Sequence, residues 1–242
     1  MRTYIKIIAV FAVLLWTPLV SAKMLQAVVV GQPVADGGPV SYDYHETFDS
    51  GTEDNTWTDA GGSGVWTSGD TTKNLYNSTG NLHVDSEDRR MSITGTDNAV
   101  IVTGIFEATD EYTPSAYVIF LRESDGSAVI GFRLVNYSTD HWTHVEVYDN
   151  GDWGAEYAID IYPDTTYWFK IEYNNGSSSD SVQKIWVVSS APTSSWGSEL
   201  VDVGGTTKTE QVGLVALGKK TGNTDVYYDE IRVNLDGTDI LY

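Results

Sequence analysis

Val226-Tyr227-Tyr228-Asp229-Glu230-Ile231-Arg232-Val233 reads as a β-strand close to the end of the chain. From Tyr228 to Val233 apolar and polar side chains alternate, the pattern of a strand with one buried face. A single carboxylate, Asp229, sits in its middle. About 180 residues upstream lies a second short strand signal, Glu46-Thr47-Phe48-Asp49-Ser50-Gly51. Strands from the two ends of a domain tend to pair, because termini lie close together. That pairing sets Glu46 beside Asp229.

Between these ends the pattern is β throughout. Apolar alternation predicts strands over 116–123, 128–137, 143–148, 156–161, 167–173, 183–189 and 211–217, besides 226–233. Turn residues separate them: Asp125-Gly126, Asn150-Gly151, Asn174-Asn175-Gly176, Gly204-Gly205 and Thr221-Gly222-Asn223. Residues 51–80 are rich in Gly, Ser, Thr and Asp, which predicts long loops with short strands. No stretch keeps a helical period. Many short antiparallel strands in one domain of this length predict a two-sheet sandwich.

The first 22 residues have the form of a signal peptide. Arg2 and Lys6 precede an apolar run from Ile7 to Trp16, too short to span a bilayer comfortably. Val20 and Ala22 are small enough for a cleavage site after Ala22; retention as an anchor is the alternative. Residues 23–43 hold a Val-rich run, Met24 to Val30, and a Gly/Pro linker. The run is either an extension of the leader, an edge strand, or a strand donated to another copy of the chain by addition to a sheet edge.

Composition narrows the partners. The 242-residue chain carries 34 acidic and 14 basic residues, a formal charge of -20. That argues against nucleic acid, whose phosphates require Lys and Arg, and against an anionic membrane surface after signal cleavage. It suits a secreted, extracellular or cell-surface protein. Cys is absent, and a core of this size dispenses with disulfides.

Phe48-Asp49 near the start, the strand run from Tyr117 to Val188, and Asp229-Glu230-Ile231-Arg232-Val233 at the end resemble the concanavalin A-like jelly roll. That group includes laminin-G-like lectin modules and laminarinase-type glycoside hydrolases. The resemblance covers about residues 44–242 and implies an all-β, two-sheet antiparallel jelly-roll sandwich after the leader and linker. It also implies calcium between the first and last strands, with Asp229 as the last-strand ligand and Glu46 near the early one. Calcium takes six to eight oxygens, which carboxylates, loop carbonyls and water supply. The bland alternative leaves Asp229 as a solvent-facing carboxylate. A second oxygen-rich turn, Asp149-Asn150-Gly151-Asp152, reads as a cation site or a plain hairpin turn.

The hydrolases of that group carry E-x-D-x-x-E on one strand, and no such triplet occurs here. Glu156 and Asp160 share a strand face but lie about 13 Å apart, beyond the roughly 5–10 Å of paired glycosidase carboxylates. No G-x-S-x-G elbow is present. Gly61-Gly62-Ser63-Gly64 lacks the Lys and helix of a phosphate loop. The reading is therefore non-catalytic.

Eight Trp and 15 Tyr point to a sugar surface. Strand parity predicts Arg122, Arg133, His144 and Glu146 in one line across a sheet face, with Trp142, Tyr148 and Trp153 beside it. Cross-strand ion pairs on a solvated face are the alternative. Trp168 and Trp186 fit core or surface. Asn77, Asn136 and Asn175 each head an N-x-S/T triplet. Three functions follow as expectations: a secreted lectin-like module that binds polysaccharide or glycan, a structural subunit of an extracellular assembly or filament that exchanges residues 24–30, and, as the lesser alternative, a glycan-active enzyme.

Overall fold

The computed structural model describes residues 42–242, less 50–54, 60–65, 71–74, 76–79, 85–88, 95–98, 110–114, 150, 177–180, 206 and 220–223. The leader, the Val-rich run, the linker, the Gly61 loop and Asn77 lie outside the described residues.

The described residues form β-strands and no helix. One sheet has eight strands. It contains β1 (Tyr44–Glu46), β3 (Trp66–Asp70), β4 (Asn81–Val84), β6 (Ala99–Ala108), β11 (Tyr167–Asn174), β12 (Val182–Val188), β13 (Val201–Asp202) and β15 (Val226–Asn234). The other has seven: β2 (Trp57–Asp59), β5 (Arg89–Ser92), β7 (Ser115–Arg122), β8 (Ala128–Tyr137), β9 (Trp142–Asp149), β10 (Asp152–Ile161) and β14 (Leu214–Lys219). Its order is β10-β9-β8-β7-β14-β5-β2, and the eight-stranded order is β13-β12-β11-β6-β15-β4-β3, with β1 added on β15. Every pairing is antiparallel. The chain is the two-sheet jelly-roll sandwich its strand pattern predicts.

The core lies between the sheets. Phe106 and Phe169 from one sheet meet Phe132 from the other, with ring centroids 6.3 and 6.0 Å apart. All three are fully buried, and such a ring is worth about 3–5 kcal/mol when truncated to Ala. The strands 128–137 and 226–233 fall where periodicity puts them. β10 begins at Asp152 rather than Glu156, since Gly154 and a bulge break its alternation. β6 has no counterpart among the predicted strands. From Val100 to Ala108 it is buried on both faces, so it lacks the alternation that marks a half-exposed strand.

β15 confirms the pairing of chain ends and corrects its detail. Its first residues, Val226–Tyr228, pair with β4, and on the same edge Ile231–Val233 pair with β1. Its other edge follows β6 throughout, with one register shift between Asp229 and Arg232. Glu230 sits at the shift with φ 51°. The extra residue of this bulge brings both Tyr228 and Ile231 into the core. The simple alternation from Tyr228 to Val233 therefore stops at Glu230. Asp229 is fully buried, which removes its solvent-facing alternative.

Candidate functional site

The two outer faces of the sandwich differ in kind. On the eight-stranded sheet the segments after β12 and β15 lie over the strands. Ile105, Trp168, Trp186, Trp196 and Tyr242 form a second, smaller core there. Trp196 Nε1 donates to the Ile240 carbonyl at 2.7 Å, and Tyr242 Oη donates to the Glu230 carbonyl at 2.8 Å. Lys170 is nearly buried, its Nζ 3.9 Å from the Trp186 ring centre and 2.9 Å from Asp239. Arg232 lies 4.1 Å over the Tyr242 ring and donates through Nη2 to Glu230 at 2.6 Å. Burial opposes ionisation of Glu230, but His45 at 2.8 Å and the Arg232 guanidinium outweigh it and hold the carboxyl below its usual range. Burial pushes the Tyr242 hydroxyl up. Trp168 and Trp186 thus belong to a covered face.

On the seven-stranded sheet the outer face has aromatic rings without such a cover among the described residues. The register sets out its rows. Tyr117, Arg133, Glu146 and Glu156 are successive neighbours across β7, β8, β9 and β10. Phe120, Gly131, Tyr148 and Trp153 form the next row. Gly131 leaves room for Phe120: a Cβ there would stand 2.6 Å from the Phe120 ring and 2.4 Å from the Ile119 carbonyl. Phe120 therefore lies down over the glycine, with Tyr117, Tyr148 and Trp153 around it at centroid distances of 5.6 to 5.8 Å and Trp153 5.4 and 5.5 Å from the other two. Phe120 is nearly buried by them, while the three outer rings stay half-buried. Edge-to-face geometry of this kind adds to simple burial.

Arg133 borders this cluster. Its guanidinium lies 4.0 Å over Trp153, donates to Tyr117 Oη at 3.1 Å, and pairs with Glu146. One face of Trp153 is thus occupied, and the charges of Arg133 and Glu146 offset each other. Arg122 stacks 4.8 Å from the Phe120 ring and donates to the Gly126 carbonyl of its own hairpin.

The predicted single line does not form. Arg133 and Glu146 are cross-strand partners, but His144 stands one row away opposite Val135 and Ala158. Arg122 stands at the far end, opposite Leu214 and Ala128. Bulges in β7 at Tyr117/Ile119 and Leu121/Arg122 shift the parity. Trp142 is a correction: it is fully buried in the core, against Tyr137 at 5.0 Å, and offers no ring to a ligand. Tyr117, Phe120 and Gly131 are missing from the predicted set. The alternation through the β7 bulge hides the first two, and a glycine carries no chemical signal.

The metal ligands read from the chain ends do come together. Glu46 pairs with Ile231, two positions from Asp229. The Glu46 oxygens, however, accept N–H donors from Phe48 at 3.2 Å, Asn55 at 3.0 Å and Trp57 Nε1 at 3.1 Å. Asp229 Oδ1 accepts from the Glu230 amide at 2.8 Å. A cation at Glu46 would confront those hydrogens, and the described residues contain no group of three or more His, Asp or Glu that could hold a metal ion. Glu46 thus ties Phe48, Asn55 and Trp57 to β1, and calcium at Glu46 and Asp229 stays a proposal. In the second oxygen-rich turn, Asp149 pairs with buried Lys208.

No protein-family profile and no curated protein matches the sequence. Solved structures do. The chain is similar to the cellulose-induced protein Cip1 at TM-score 0.59 and 11% identity, covering 83% of this chain and 100% of that one. It is similar to a PL-14 alginate lyase from Aplysia kurodai at 0.54 and 9%, covering 81% and 100%. An endo-β-1,4-glucuronan lyase from the fungus Trichoderma reesei gives 0.50 and 13%, covering 80% and 95%. Identities this low show a shared fold; activity is a matter of the site.

Proposed function

We propose that the protein is a secreted, non-catalytic, lectin-like module that binds carbohydrate on the outer face of its seven-stranded sheet. The observation that carries this is the cluster of Tyr117, Tyr148 and Trp153 around Phe120, half-exposed on that face, with Arg133 and Glu146 at its border. Aromatic rings offer flat apolar surface to the C–H face of a sugar, and the flanking polar groups offer hydrogen bonds to its hydroxyls. Two solved structures of the same fold bear polysaccharide-lyase names, which supports a polysaccharide ligand. A glycan array followed by titration tests the reading. Trp153→Ala and Arg133→Ala weaken binding without unfolding the protein. Full binding in both variants moves the site elsewhere, and an empty array removes the function.

A second reading, a structural subunit, is favoured by one observation. β10 is a ten-residue strand that ends its sheet. Such an edge can receive a strand from another copy, and residues 24–30 are a candidate donor. Deleting residues 23–40 separates the two readings. A lectin keeps its glycan binding, whereas a strand-exchanging assembly falls to monomers in native mass measurement.

A further inference from the structure

The cluster is not the only aromatic surface on this face. Tyr162, just past β10, is 46% exposed, more than any other large apolar side chain among the described residues. Its ring stacks on His141 at 4.8 Å and 27°. The His141 ring nitrogens face Asp140 at 2.7 Å and Asp160 at 3.4 Å, and both carboxylates are mostly exposed.

Register places this second surface on the same side of the sheet as Trp153. After the bulge in β10, Glu156 stands in the outer row with Glu146. Tyr157 and Ile159 pack against the core and Ile161 is part of it. Glu156, Ala158 and Asp160 therefore alternate outward, and Tyr162 continues the series. Seven steps along β9 separate Tyr148 from His141, about 23 Å of ladder. Between the two surfaces lie His144, Glu146 and Glu156, with Asn136 donating to Glu156 at 2.6 Å. The backbone amide of Tyr162 donates to Tyr167 Oη at 3.0 Å, which fixes the ring's root to the core.

We infer that Tyr162, with His141, Asp140 and Asp160, is a second sugar subsite, and that the ligand is an uncharged glycan chain lying along β9 and β10 between the two aromatic surfaces. This rests on the proposed carbohydrate-binding function and deepens it. The length of the ladder calls for a polymer segment, since a mono- or disaccharide at Trp153 cannot reach Tyr162. The charge calls for a neutral one. Asp140, Asp160 and Glu156 present carboxylates that accept hydrogen bonds from sugar hydroxyls and repel uronates or sulfates. His141 holds the Asp140 carboxyl below its usual range, so it stays ionised. On this path the cation nearest the Trp153 end, Arg133, is matched by Glu146.

Calorimetric titration tests this with cello-, manno- and xylo-oligosaccharides, each as disaccharide and hexasaccharide, and with alginate oligosaccharides as the charged comparison. The expected result is one uncharged series whose hexasaccharide binds about tenfold more tightly than its disaccharide. Tyr162→Ala removes that gain and leaves disaccharide binding unchanged; Tyr162→Phe keeps it. Trp153→Ala weakens both lengths. Because Tyr162 is exposed, its variants keep the parent melting temperature. Equal affinity for both lengths, or an unaffected hexasaccharide in Tyr162→Ala, overturns the second subsite while the carbohydrate reading stands. Tighter binding of alginate overturns the uncharged ligand. No binding in any series, with Trp153→Ala silent, removes the carbohydrate reading itself.

Discussion

The two outer faces carry the same kinds of side chain and use them in opposite ways. On the eight-stranded sheet Lys170 and Arg232 lie against Trp186 and Tyr242, and the chain folds over them. On the seven-stranded sheet Arg133 lies against Trp153, and the described chain leaves the rings half-exposed. Cation and aromatic in contact are therefore no guide to function alone. What separates a structural cage from a binding surface is whether a segment of the same chain has already filled it.

The sharpest way to break this contrast is to truncate one Trp on each face. Trp196→Ala removes a buried ring and its bond to Ile240. We expect a loss of about 3–5 kcal/mol in urea unfolding. Trp153→Ala costs roughly half of that or less, because its ring is only half-buried, and on the proposed function it weakens glycan binding. Equal stability losses would mean that the second face is also a core.

Gly131→Ala probes how the open cluster is seated. The added methyl meets the Ile119 carbonyl and the Phe120 ring, so we expect about 1–3 kcal/mol of destabilisation. Near-ultraviolet circular dichroism should change as Phe120 lifts and its three neighbours move. An unchanged spectrum would show that the rings do not rest on this glycine.

Glu46 sharpens the contrast from the core between the sheets, where a carboxylate is held by donors from Phe48, Asn55 and Trp57. Glu46→Gln replaces one acceptor oxygen with a competing donor, at about 1–3 kcal/mol. The calcium proposal for Glu46 and Asp229 is settled by melting in calcium and in chelator. A higher melting temperature in calcium, abolished by Asp229→Ala, supports the ion, and coincident melting temperatures remove it.

The smallest effect is the acid limb. The Glu230 carboxyl is lowered in the folded chain, so its ionised form favours folding. That contribution is complete above the ordinary glutamate value of about 4.3 and fades as pH falls through the lower folded value. Glu230→Gln should flatten stability against pH below about 4.3. An unaltered acid limb would show that His45 and Arg232 do not set this titration.

Much of the architecture was legible because half-buried strands leave a two-residue period. β9 keeps it from His144 to Tyr148, and β6, buried on both faces, does not. The pairing of the chain ends was legible from position. The site was less so. Arg133 and Glu146 were placed correctly as neighbours, with Tyr148 and Trp153 beside them, but single-residue bulges in β7 moved Arg122 out of the line. Trp142 was misplaced because parity does not hold through the shift opposite Ile161. Tyr162 gave no signal, since exposure of a residue beyond a strand depends on the turn that follows it.

The forked last strand also fixes an order of events. β15 joins β6 along one edge and both β4 and β1 along the other, and His45 bonds Glu230 across 185 positions of chain. The middle of the eight-stranded sheet is therefore missing until residue 226 has left the ribosome. By contrast, β7, β8, β9 and β10 are successive hairpins that need only their immediate neighbours. Such a high contact order predicts folding in milliseconds to seconds once β15 is available, with the β7–β10 hairpins formed first and the sandwich closed last by β15.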